Sequence, residues 1–305
     1  MTANTRYYRI ADMTIKVESD LPITDKTFDR KFDTFRVTGP NEDTISLHHH
    51  FELPDLDEIE LGKERYHKAP WRIYEQSDGW LYVGILPDHF EKKYWKIARF
   101  NKDHSKGIIF HSNHNAWRRG GLGALTTFPT DQILLARLLA DRQGFFLHSA
   151  GAILNSYGIL FVGHSEAGKS TTTQMLLDAG ASAKDTPVEI LCDDRNIVRK
   201  KAETWRVYGS WSHGDIPNIS AESSLLKAIC FLEQTPTNVL IPLHTKTEIN
   251  HRLLACLIKP FVTADWWDKT LSLVEKLGAE VPCYRMQFDK SGVILDNLLG
   301  LFKLK

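Results

Sequence analysis

Short hydrophobic runs set the pattern of the first part of the chain. Apolar, aromatic and β-branched residues interleave with polar ones over Tyr7–Ile10, Thr14–Val17, Phe35–Val37, Ile45–His48, Trp71–Tyr74, Trp80–Ile85, Trp95–Phe100 and Gly107–His111. Runs of this length and composition predict short strands. Gly39-Pro40-Asn41, Ser77-Asp78-Gly79 and Asn101-Lys102-Asp103 punctuate them as turns. The spacing predicts a β-rich domain over residues 1–128, built as a meander or small open barrel.

A glycine cluster, Gly120-Gly121-Leu122-Gly123, precedes a change of rhythm. Pro129-Thr130-Asp131 reads as a helix start with Thr130 as cap, Ile133, Leu134, Leu138 and Leu139 form an apolar face, and Gly144 is the expected stop. Strands and helices then alternate. Phe145–Leu154 is a strand, Asn155–Gly158 a turn, and Ile159–Gly163 a nearly all-apolar strand of the kind buried on both faces. A glycine-bearing loop leads into a helix over Lys169–Ala179, with Gly180 as its C-cap. Val188–Cys192, Ala228–Leu232 and Tyr284–Phe288 are further strands; Ile249–Ile258, Trp266–Leu277 and Val293–Leu301 are helices. Residues 129–305 therefore read as an α/β domain, expected to hold an open parallel sheet.

The loop after the apolar strand carries chemistry. Gly163-His164-Ser165-Glu166-Ala167-Gly168-Lys169-Ser170 matches G-x-x-x-x-G-K-[ST] at every fixed position. Average residue usage gives one accidental match in roughly a hundred chains of this length, and the strand–loop–helix setting narrows that further. The glycines let the chain curl so that main-chain N–H groups form an anion cradle, and the helix that follows adds its positive end. Lys169 can reach the β- and γ-phosphates of a nucleotide, Ser170 can present its hydroxyl to Mg²⁺, and Thr171 follows in the first turn of the helix.

Asp193-Asp194 follows the strand Val188–Cys192. Ligands of open α/β sheets bind beyond the carboxyl ends of the strands, which places the pair on the side of the phosphate loop. One carboxylate can hold Mg²⁺ and the other can accept a proton from an attacking hydroxyl, provided the chain bends between them. His148 lies on the preceding strand; if that strand pairs with the next through the turn, His148 sits across the sheet from the loop, able to contact a phosphate or to be an ordinary sheet histidine.

Composition excludes some classes. Lys+Arg and Asp+Glu are both 38, with 21 of each sign in residues 1–144, so neither half offers a basic footprint for nucleic acid. The four cysteines, Cys192, Cys230, Cys256 and Cys283, are widely spaced, which predicts buried reduced thiols rather than a zinc or disulfide framework. The polar segment MTANTRYYRI is not a secretory signal and no apolar run reaches membrane length, so a cytoplasmic protein without a membrane partner is expected. His48-His49-His50, with His111 and His114, lacks a carboxylate or cysteine at matching spacing and reads as a solvated strand face. Trp266-Trp267 reads as helix core, Arg199-Lys200-Lys201 as a solvent hairpin turn, and Arg118-Arg119 as linker.

Leu147–Ser170 together with Cys192-Asp193-Asp194-Arg195 resembles the kinase domain of the HPr kinase/phosphorylase family, which is related to phosphoenolpyruvate carboxykinase. His148 stands fifteen residues before Gly163, as in that family's pattern. The resemblance implies an ATP- and Mg²⁺-dependent kinase acting on a serine hydroxyl, in a family whose members form oligomers. By it, His148 contacts phosphate, Lys169 the nucleotide and Ser170 the magnesium, and Asp194 is the base, leaving Asp193 for the metal. The chain departs from the family at Glu166, which adds a negative charge to the loop, at about seven extra residues around Lys184–Pro187, and in lacking the phosphorylase signature. HPr and the phosphate-removing activity are therefore not carried over. The run Val207–Asp215 and the Glu233-Gln234 step also resemble the divergent HPr-kinase-like proteins of peptide-biosynthesis clusters; by that likeness Trp211 and His213 line the acceptor side. The acceptor is then a peptide or protein serine. A small hydroxyl metabolite, or a nucleotide sensor with little turnover, remains the alternative.

Overall fold

The computed structural model describes residues 4–68, 70–85, 94–126, 131–182, 188–259 and 263–301. Thr130 and Lys184–Pro187 lie outside the described residues. The chain divides into two compact units, Met1–Leu138 and Leu139–Lys305.

The first unit contains strands β1 (Thr5–Ile10), β2 (Met13–Ser19), β3 (Arg36–Val37), β4 (Thr44–His50), β5 (Lys63–Lys68), β6 (Trp71–Glu75), β7 (Gly79–Ile85), β8 (Tyr94–Asn101) and β9 (Lys106–His111), and a short helix α1 (Asn115–Arg119). They form one nine-stranded sheet in the order β3-β1-β2-β4-β9-β8-β7-β6-β5. Strands β5 to β9 are a meander, but β4 joins both β2 and β9 in parallel. The outermost strands β3 and β5 are not paired with each other among the described residues, so the sheet is open. β5 reads KERYHK and escapes the sequence pattern because it is an edge strand, where charge rather than alternation is the rule. Arg118 and Arg119 belong to α1 and not to a linker.

The alternation along β4 turns Ile45, Leu47 and His49 into the core and leaves Ser46, His48 and His50 on the other face. The histidines are therefore divided: His48 and His50 keep the solvent side expected of a strand face, and His49 and His111 are core groups. His49 is fully buried, and its Nδ1 lies 2.9 Å from Nε2 of buried His111.

Helix α2 (Gln132–Ala140) precedes the strands of the second unit. It is followed by β10 (Gly144–Leu154), β11 (Tyr157–Val162), α3 (Lys169–Ser182), β12 (Val188–Cys192), β13 (Arg195–Lys201), β14 (Thr204–Tyr208), β15 (Ser223–Gln234), β16 (Val239–Leu243), α4 (Lys246–Ala255), α5 (Ala264–Glu280), β17 (Cys283–Phe288) and α6 (Ile294–Gly300). The β10–β11 hairpin turns on Asn155 and Ser156, both at positive φ, as a two-residue turn that follows strand twist requires.

The sheet is mixed and not the open parallel sheet expected. Only β11–β15 and β15–β17 are parallel. Long β10 runs antiparallel to β11 on one side and to β12 and β13 on the other. The pairings β10–β13–β14–β15–β11–β10 close a circuit. Both faces are covered, which explains the all-apolar run in β11. Leu160 and Val162 join a cluster with α4 and α5 residues such as Leu253, Trp266 and Leu277. Ile159 and Phe161 join one with Leu176, Ile294 and Leu298.

Three local expectations change. Gly144 is the first residue of β10, and Gln143 takes the left-handed turn before it. Gly180 lies inside α3: a Cβ there would stand 3.1 Å from Val188 Cβ, so the small residue serves the packing of β12 and not a cap. Arg199 and Lys200 lie within β13, where Lys200 Nζ donates to Glu280 Oε1 at 2.8 Å. The four cysteines are buried free thiols.

Candidate active site

The loop between β11 and α3 is built around its two end glycines. A Cβ on Gly163 would meet Ala167 Cβ at 2.5 Å, and one on Gly168, at φ +102°, would meet the Phe288 ring at 2.7 Å. Neither position has room for a side chain, and the second has the wrong φ for one. Between them Glu166 also takes a positive φ, and Gln234 at the end of β15 donates from Nε2 to its carbonyl at 2.8 Å. Helix α3 starts at Lys169, so its first-turn N–H groups, which have no intrahelical acceptor, lie at the loop's end.

Lys169 Nζ donates to the carbonyls of Gly163 (3.0 Å) and His164 (2.9 Å), and the residue is only 8 % exposed. Two of its three donors hold the loop's first turn, and the third is left for a ligand. Burial pushes its pKa down, against the opposing pull of Cys256, Asp194 and Asp193.

The bend expected between the two aspartates exists. Asp193 and Asp194 form the corner between β12 and β13, and this corner is tied to β10. Ser149 N donates to Asp194 O at 3.0 Å. Asn196 Nδ2 donates to Ser149 O at 2.7 Å and to Cys192 O at 3.3 Å. Gly151 makes room for that amide, since a Cβ there would fall 2.3 Å from Asn196 Oδ1.

Buried Asp193 accepts from Gly214 N (2.6 Å) and Ile216 N (2.9 Å), so it organises the loop after β14. Ser170 Oγ lies 3.3 Å from Asp193 Oδ2 and 3.4 Å from Asp215 Oδ2. Asp194 faces His148 Nε2 at 3.4 Å and Arg195 Nε at 3.3 Å. Burial works to raise the Asp194 pKa, but the His148 hydrogen bond and the charges of Arg195, His148 and Lys169 outweigh it and hold the carboxyl below its usual range. Register places Ser149 opposite Val162, which brings His148 level with the start of the loop.

These groups share one cleft of about 360 Å³, lined by His148, Ser165, Glu166, Gly168, Lys169, Ser170, Thr171, Asp193, Asp194, Gly214, Asp215 and Gln234. His164 is exposed beside it, and Gly163 and Ala167 form the base of the loop. Trp211 and His213 are not among the lining residues: Trp211 is 4 % exposed, and exposed His213 has its Nδ1 3.1 Å from Gly214 O. Gly214 and Asp215 of the same run line the cleft in their place. Asp215, Gln234 and Asn196 were not singled out in the sequence. The first two stand in the runs that carry the looser resemblance, whereas Asn196 acts through pairing that the sequence does not show.

The oxygen donors of Ser170, Asp193 and Asp215 are the hard set that Mg²⁺ prefers, and the glycine cradle leaves room against the loop for phosphate. The residues present therefore fit a magnesium–nucleotide group.

No protein-family model matches the chain, and no curated relative does. Among solved structures, the HPr(Ser) kinase/phosphatase from Coxiella burnetii is similar at 12 % identity, covering 52 % of this chain and 96 % of that one, with a TM-score of 0.30. The similarity is distant. Among the described residues no helix is long and apolar enough to cross a membrane.

Proposed function

We propose that the second unit is a phosphotransferase that binds ATP with Mg²⁺ and passes the γ-phosphoryl group to a hydroxyl, that of a serine in a peptide or protein. The observation that carries this reading is the meeting of Lys169, Ser170, His148 and the two aspartates in a single cleft beside a glycine loop.

The charge of the cleft explains the need for a cation. Four lining carboxylates, Glu166, Asp193, Asp194 and Asp215, outnumber the one ammonium of Lys169. A triphosphate entering alone would meet repulsion, and magnesium, if bound with it, would supply the neutralising positive charge. Ser170 and Asp193 are the residues that would hold it, with Asp215 adjacent.

Lys169 supplies an ammonium and His148 a ring N–H for the oxygens of the group in flight. Asp194 takes the proton of the attacking hydroxyl. Its depressed pKa keeps it ionised at neutral pH and makes it a weak base, which suits a loose transition state in which the proton leaves late. The corner that carries Asp194 is held by Ser149 and Asn196, so the base is positioned before substrate arrives.

The test is transfer of labelled γ-phosphate in a cell lysate with Mg²⁺, followed by mass spectrometry of the labelled species. Label on a serine of a polypeptide supports the reading. Label on a small metabolite moves the acceptor class, and tight ATP binding without any labelled product makes the unit a nucleotide sensor.

A further inference from the structure

A second donor cluster lies in the first unit, far from the phosphate loop in sequence. His48 and His50 alternate on one face of β4, so their rings stack at 4.3 Å with planes 17° apart. Asp20, just past the end of β2, reaches both: Oδ1 lies 2.8 Å from His48 Nε2 and Oδ2 lies 2.7 Å from His50 Nδ1. The sequence hides this carboxylate because it stands 28 residues before His48 and comes alongside only through the parallel β2–β4 pairing.

We propose that Asp20, His48 and His50 form a binding site for a zinc-class divalent cation, held by two imidazoles and one carboxylate. The three donor atoms lie within 4.8 Å of one another. A tetrahedral zinc ion keeps its ligand atoms about 3.3 Å apart. The contacts to Asp20 need to open by only about half an ångström to admit it. The ion replaces two N–H···O bonds, and each ring then carries its proton on the opposite nitrogen, His48 on Nδ1 and His50 on Nε2.

The site is braced. The Asp20 N–H donates to His49 O at 3.1 Å, and the His50 ring lies against Phe110 at 5.4 Å with planes 22° apart. All three ligands are about half exposed, so an ion reaches them from solvent. Three protein ligands leave one coordination position open, the pattern of an exchangeable and not a closed structural site. Of the three ligands, His48 also lines a cleft of about 460 Å³ that it shares with Asp78, Arg99 and Lys106. Imidazole donors select against magnesium, so the two sites of the chain sort different metals.

The experiment titrates the metal-free full chain, prepared without a polyhistidine tag, with Co²⁺ in excess Mg²⁺. The expected result is one equivalent of Co²⁺ with the intense visible absorption of a four-coordinate ion, bleached by Zn²⁺. The double variant His48→Gln/His50→Gln should weaken binding by about 100-fold or more with an unchanged circular dichroism spectrum. In the unsubstituted chain, Zn²⁺ should shift the imidazole nitrogen resonances of two of the thirteen histidines. A weak six-coordinate spectrum, a titration that the double variant does not change, or imidazole resonances unmoved by Zn²⁺ would each overturn the assignment.

Discussion

In the first unit the ionisable groups of the core are mostly basic and sealed, buried Asp131 apart; in the second they are mostly acidic and open onto a cleft. His49, His104 and His111 are buried in the first, with Lys96. Burial dominates each: it drives His49 well below its usual range, His104 and His111 to about 3, and Lys96 to about 7. His104 and His111 therefore remain neutral at physiological pH, as does His49. In the second unit Asp194 and Lys169 are buried in part or in full, and each has opposite charges nearby, which outweigh burial at Asp194 and only partly oppose it at Lys169. The difference separates two uses of a buried ionisable group. One is neutralised and acts as a core residue with a polar tip; the other is kept charged for something that has yet to bind.

The largest effect that sharpens this contrast is at Lys169. Lys169→Ala should reduce phosphoryl transfer by at least about 10³-fold. The variant also unpairs the Gly163 and His164 carbonyls, so the denaturant midpoint should fall by a small amount while the circular dichroism spectrum stays unchanged. Asp194→Asn should follow, with turnover lower by roughly 10²–10⁴-fold and nucleotide affinity retained, read by separating kcat from KM. Full activity in Asp194→Asn would remove the base from the mechanism.

Next in size is an acid response confined to the first unit. A histidine with a folded pKa below its unfolded value takes up its proton first in the unfolded chain. The histidines' share of the first unit's stability is then complete above about pH 6.5 and declines as pH falls from 6.5 toward 3, whereas Lys96, lowered from 10.5 to about 7, exacts its share already between those two values. The loss is on the order of a few kcal/mol by pH 5. Asp194, with its depressed pKa, loses its contribution only as pH falls below the ordinary carboxylate range. All four cysteines lie in the second unit and none in the first, which makes them a reporter. In moderate urea at pH 5.5, fluorescence from Trp71, Trp80 and Trp117 should change before a dithiopyridine reagent reacts with the thiols. Simultaneous change of both signals would break the comparison.

The same contrast governs what the sequence discloses. The loop from Gly163 to Ser170 and the aspartate pair are legible because each function sits on consecutive residues, and backbone geometry dictates their types. The strands of the first unit are legible by their alternation, except β5, where an edge position makes charge acceptable. The mixed sheet is not legible, because the strand Val188–Cys192 reads the same whether its neighbour runs parallel or antiparallel. For the same reason Asn196, Asp215 and Asp20 are missed. Each acts across a pairing between distant segments, and no spacing along the chain records it.

The smallest effect concerns how the phosphate loop is kept in shape. Its middle holds Glu166 at φ +68°, a conformation that a non-glycine residue adopts only when its surroundings favour it. Among the described residues the side-chain hydrogen bond to the Glu166 carbonyl comes from Gln234 Nε2, at the end of a strand paired in parallel with both β11 and β17. A Cβ on Gly168 would come within 3.2 Å of the same amide, so Gln234 also closes the wall behind the glycine. Gln234→Ala removes one neutral hydrogen bond, about 1 kcal/mol, that holds the empty loop in its binding shape. If the released loop relaxes to other shapes that must be reversed on binding, the loss appears as up to roughly a fivefold rise in KM for nucleotide with kcat unchanged. Gln234→Glu presents an acceptor to a carbonyl and a fifth negative charge to the phosphates, so it should be worse than alanine, and its deficit should shrink as Mg²⁺ is raised. KM values in both variants equal to that of the unsubstituted chain would mean that the shape of the loop owes nothing to this strand end.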